Sequence, residues 1–135
     1  MIFDTLIQTG DWKGEKHVPV ITAPESFSKD EAIEVKVSIG DAIGLPNTLE
    51  HYISWIKLFY IEDGKKFAIE LGDYRFAAHG EGETFSEPFA IAKVKLPGSG
   101  KLMALSYCNI HGLWGNEQAI TLKGSLSNVG VTQLD

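Results

Sequence analysis

The chain has 135 residues, a net charge of −6, 44% hydrophobic residues and one cysteine. That length supplies the core of one domain, the acidity and the lack of any basic run argue against nucleic acid as a partner, and a single thiol excludes an internal disulfide framework. No apolar run reaches membrane-spanning length, and the opening "MIFDTLIQTGDWKGEKH" lacks the basic start and long apolar core of a secretory signal, so a reducing cytoplasm is the expected compartment.

Residues 2–9 are predicted to form one short helix, because Phe3, Leu6 and Ile7 share a helical face. The pattern then turns to β. "GEKHVPV" places His17 at the mouth of a strand. "AIEVKVSI" alternates, with Ile33, Val35, Val37 and Ile39 facing in and Glu34, Lys36 and Ser38 facing out. In "PNTLEHYISW" a turn carrying His51 feeds a strand, and the run 51–61 is apolar on both faces, as a central strand is. "HYISWIKLFYIEDGKKFAIEL" reads as strand, "EDGKK" hairpin turn and strand. "YRFAAH", "PFAIAKVKL", "KLMALSYCN" and "QAITLKG" complete about eight short strands, with "LPGSG" as a turn between two of them. Short strands punctuated by Gly and Pro turns predict an all-β sandwich and not an α/β fold. One domain is expected over 1–124, followed by a polar tail over 125–135.

The chemistry gathers around "LSYCNIHGLWG", residues 105–115, where His111 follows Cys108 by three positions. Alone this pair is a weak signal. Zinc sites normally show two such pairs, and a lone Cys is often an inert buried hydrophobe. His17, His51 and His111 each lie at a strand-to-loop junction, and such junctions meet at the ends of a sandwich. Three imidazoles and a thiolate can therefore converge on one metal; the alternative is three separate surface histidines and a buried Cys. Imidazole with thiolate suits iron, copper or zinc and not magnesium or calcium.

The segments "EKHVPVI", "PNTLEH", "WIKLFY", "AHGE" and "LSYCNIHGLW" occur in that order over roughly residues 8–122. Together they resemble the superoxide reductase family in its one-iron form, neelaredoxin, with a shortened segment after "AHGE". Two-iron relatives carry an extra N-terminal domain whose iron takes four cysteines, which Cys108 alone does not furnish. The resemblance implies a seven-stranded immunoglobulin-like antiparallel sandwich. It implies a mononuclear non-haem iron held equatorially by four histidines and axially by one Cys. The implied activity is one-electron reduction of superoxide to hydrogen peroxide in oxidative-stress defence. Carried over by motif, His17, His51 and His111 fall on equatorial positions and Cys108 on the axial one. Glu15 falls on the carboxylate that caps the ferric ion, and Lys16 on the lysine that draws in superoxide and helps deliver a proton. His79, of "AHGE", is not counted among the ligands. The resemblance also implies a small electron donor such as rubredoxin and a homo-oligomer, in the family a tetramer.

One departure stands out. The family reads H-P-N-T where this chain reads "GLPNT", so the fourth equatorial histidine is Leu45. Leu45 has no lone pair, which leaves three histidines and one thiolate. Water, a shifted backbone or a different metal is expected to make up the difference, and zinc is the candidate substitute because it commonly takes four His/Cys donors. His79 is the first residue to consider as a replacement ligand. The rival reading is a non-catalytic sandwich of the same family that holds zinc or nothing. In either case the "CNIHG" turn is expected to aim backbone N–H groups at the sulfur. Gly112 permits that turn, and Trp114 is expected to shield the thiolate from water.

Overall fold

Alternating side chains build the first sheet. In this computed structural model, which describes residues 1–11, 15–40 and 47–124, strand β3 (Ile33–Ser38) buries Ile33, Val35 and Val37 against the core. It lies between β1 (Val20–Thr22) and β6 (Phe89–Val94), antiparallel to both. Glu34 points to solvent as the pattern requires, whereas Ser38, expected outward, is buried.

The second sheet has five strands in the order β2 (Ser26–Phe27), β8 (Gly112–Leu122), β7 (Gly100–Cys108), β4 (Ile53–Glu62) and β5 (Ile69–Arg75). β4 is interior to this sheet, between β7 and β5, which explains its apolar run. Ile56, Leu58 and Tyr60 face the core, and Trp55, on the other face, stacks on Tyr107 at 5.9 Å. The β4–β5 hairpin turns through the predicted "EDGKK", where Gly64 takes φ +80° at little steric cost. The two sheets close on one core that includes Phe27, Val35, Leu58, Leu102 and Ile120. Burying each such side chain contributes roughly 1.5–3 kcal/mol.

Among the described residues there are eight strands where the resemblance implies seven, because the first strand is split. β1 pairs with β3 in one sheet; after Pro24, which cannot donate to a ladder, β2 crosses to the other sheet and pairs with β8 in parallel. This strand switch belongs to an immunoglobulin-like sandwich, in which the other pairings between these strands are antiparallel.

Two local expectations are corrected. The helix α1 spans only Phe3–Leu6 and buries none of its residues, so the apolar face of 2–9 does not pack into the core. "YRFAAH" is not a strand throughout: β5 ends at Arg75, and His79 makes only an isolated bridge with Phe85. Leu45 and the tail over 125–135 lie outside the described residues. Among the described residues no helix is long and apolar enough to cross a membrane.

Candidate metal centre

Strand pairing determines which loops meet. β4 and β7 are antiparallel, and Ile53 pairs with Cys108. The start of one strand therefore lies beside the end of the other. His51, two residues before β4, is brought against the turn that follows Cys108. That turn is closed by the β7–β8 hairpin, where Cys108 pairs with Gly112. Gly112 has φ +81°, a conformation that favours glycine. His17 arrives from the segment leading into β1.

His17, His51, Cys108 and His111 offer donor atoms that all lie within 4.8 Å of one another. Bonds of about 2.0–2.3 Å place donors on opposite sides of one ion roughly 4–4.6 Å apart, so the group fits a single ion after small side-chain adjustment. The imidazole centroids are 4.4 Å apart for His17 and His111, 5.0 Å for His51 and His111, and 5.8 Å for His17 and His51. Cys108 is fully buried, His17 is buried, and His111 is exposed.

The donor chemistry fits a soft or borderline metal. Nε2 of His17 and Nε2 of His51 are buried with no hydrogen-bond partner. Buried polar atoms in that state are costly unless something else satisfies them. The other nitrogen of His17, Nδ1, lies 2.7 Å from Oε1 of Glu15, and the same oxygen accepts the His17 backbone N–H at 3.0 Å. A protonated Nδ1 there leaves Nε2 with a free lone pair. Burial, and then the neighbouring His111 and His17, pushes the His51 pKa down, which favours the neutral ring that a metal needs.

The sulfur has the expected backbone donor. The N–H of His111 points at Sγ of Cys108 at 3.4 Å, and Nδ1 of His111 is 3.7 Å from the same sulfur. Trp114 is buried beside the cluster: its ring stacks on His17 at 5.1 Å, and its indole N–H donates to the His111 carbonyl at 3.2 Å. Gln8 donates to that same carbonyl at 2.9 Å, a contact from the N-terminal segment that sequence patterns did not suggest.

Glu15 and Lys16 adjoin the cluster without belonging to it. The Glu15 carboxyl is held below the usual range, first by its hydrogen bond with the His17 ring, and Lys16 adds a smaller attraction. Lys16 is half-buried. His79 is not brought in. It is buried, with Nδ1 3.2 Å from Oδ1 of Asn47 and Nε2 2.6 Å from the Phe76 carbonyl, and it stacks on Tyr52 at 3.8 Å. Both ring nitrogens are occupied, so His79 does not serve as a replacement ligand.

Comparison with known proteins gives a consistent picture. The desulfoferrodoxin family profile matches residues 9–117. A superoxide reductase from Pyrococcus furiosus is 48% identical over 124 residues, covering 87% of this chain and 97% of the relative. A crystal structure from Thermotoga maritima superposes with a TM-score of 0.88 at 48% identity, over 91% of this chain and 98% of that one. The reduced form of an Archaeoglobus fulgidus superoxide reductase, a neelaredoxin, gives a TM-score of 0.80 at 46% identity, over 87% of this chain and 99% of that one.

Proposed function

The chain belongs to the desulfoferrodoxin family, and on that premise we infer that it is a superoxide reductase whose metal is held by His17, His51, Cys108 and His111. The observation that carries this reading is the pair of buried, unpartnered imidazole nitrogens on two histidines whose donors gather with the buried Cys108 thiol within 4.8 Å. Iron bound there supplies the single electron that, with two protons, converts superoxide to hydrogen peroxide. The protein's own groups do the rest. The His111 N–H at the sulfur tunes how strongly Cys108 donates. Glu15 fixes the tautomer of His17, and by the resemblance its carboxylate would cap the ferric ion. Lys16 provides local positive charge on a chain whose net charge of −6 repels an anionic substrate, and by the resemblance its ammonium helps deliver a proton.

The finer assignments belong to the same reading. A small one-electron carrier of the rubredoxin kind re-reduces the metal, the protein works in the cytoplasm, and it assembles as a homo-oligomer. Leu45 leaves the site one histidine short of the family set, and this residue is the observation that favours the rival reading of a non-catalytic zinc protein. Stoichiometry separates the two. Iron-reconstituted protein supplied with a reductant is expected to yield one peroxide per superoxide consumed, without oxygen. Half that yield with oxygen evolution indicates dismutation, and no consumption, with zinc in the purified protein, favours the rival.

A further inference from the structure

His51 lies on a turn outside both sheets. Thr48 closes that turn: its N–H donates to the His51 carbonyl at 2.9 Å, and its hydroxyl accepts the His51 N–H at 3.1 Å. These bonds shape the turn but do not tie it to Cys108 and His111. The β4–β7 ladder ends at the pair Ile53–Cys108. Beyond it, one residue continues the connection. Oδ1 of Asn109 accepts the Tyr52 N–H at 2.9 Å, Nδ2 of Asn109 donates to the Glu50 carbonyl at 3.0 Å, and the Asn109 N–H donates to the Tyr52 carbonyl at 3.2 Å. The residue directly after Cys108 thus grips both chain neighbours of His51. The side chain must offer an acceptor on one side and a donor on the other, a pairing that an amide supplies and a carboxylate or an aliphatic chain does not.

We propose that Asn109 is a positioning residue for the metal centre, locking the His51 turn to the Cys108–His111 turn so that donors from both reach one ion. It touches neither metal nor substrate and acts through His51. The proposal rests on reading the four donors as a metal site. It explains how an imidazole on an irregular turn is held to the accuracy a shared ion needs, since ligands are oriented by the groups behind them.

The test is a double-mutant cycle read by ferrous-ion affinity, measured anaerobically by chelator competition. Asn109→Ala is expected to weaken ferrous binding about ten- to a hundredfold when His51 is present. In a His51→Ala background, which keeps His17, Cys108 and His111, it is expected to cause no further loss. Asn109→Asp keeps the acceptor for Tyr52 and loses the donor to Glu50, so it falls between; should the Ala variant not fold, the Asp variant carries the cycle. Equal losses in both backgrounds, or no loss in either, overturn the proposal. A parent chain that binds no ferrous ion overturns the site reading and this proposal together, whereas a parent that binds iron without the coupling overturns this proposal alone.

Discussion

The Glu15 carboxylate lies 2.7 Å from Nδ1 of His17 and also accepts the His17 backbone N–H. One side chain therefore fixes both the backbone and the tautomer of a residue whose other nitrogen, Nε2, is buried and unpaired. The protonation of Glu15 and the readiness of His17 to bind a metal are linked.

That linkage has a defined pH sign. The Glu15 carboxyl is held below its ordinary range by the His17 ring and the His17 N–H. Its folded-state value is lower than its unfolded value, so the ionised group stabilises the fold above the ordinary carboxylate range. The contribution disappears as pH falls through the lowered folded value. In metal-free protein, the melting temperatures of parent and Glu15→Gln are expected to differ at neutral pH and to converge in acid. A difference that stays constant over that interval would show that Glu15 stabilises by something other than its charge.

Lys16 is expected to act through charge. Lys16→Ala should slow superoxide consumption by about tenfold at low ionic strength and flatten its salt dependence. Lys16→Arg should retain most of the rate. Stopped-flow or pulse-radiolysis rates across a salt series decide the matter, and identical slopes for all three proteins would make Lys16 a bystander.

His79 is expected to support the fold and not the metal. It bridges the Phe76 carbonyl and Asn47 while stacking on Tyr52. His79→Ala removes these bonds from a buried place, at a cost of about 1–3 kcal/mol, seen as a melting point lowered by roughly 4–11 °C. Iron bound per folded chain should stay the same. An unchanged melting point with lost iron would reverse this assignment.

Much of this architecture is legible in the sequence, for identifiable reasons. The alternation in "AIEVKVSI" belongs to a strand with one buried face, and Ile33, Val35 and Val37 are found there. His17, His51 and His111 sit at strand-to-loop junctions, and a sandwich gathers its junctions at its ends, so their convergence was readable in outline. Phe3, Leu6 and Ile7 mislead because helical spacing describes a face without saying whether anything covers it; Phe3 and Leu6 are each 50% exposed. "YRFAAH" misleads because its apolar residues continue past Arg75, while the chain bends so that the Phe76 carbonyl meets the His79 ring. Asn109 was invisible for a different reason. An Asn in a tight turn has many local uses, and only the pairing of β4 with β7 puts it beside Glu50 and Tyr52.

Leu45 gives a prediction from the sequence alone. By the family resemblance, a histidine in its place would supply a fourth imidazole, and each added ligand strengthens a cooperative site. Leu45→His is expected to retain more iron per chain than the parent after mild chelation and to deepen the ferric colour. Equal retention by both would mean that another group already completes the parent's coordination.

Iron-edge X-ray absorption of the reconstituted protein reads whether Cys108 and three histidines hold one redox-active iron. The parent is expected to show one sulfur neighbour among nitrogen neighbours, and Cys108→Ser is expected to lose that sulfur together with superoxide reduction. A parent spectrum without sulfur, or a Ser variant that keeps both the scatterer and the activity, would rule out Cys108 as an iron ligand.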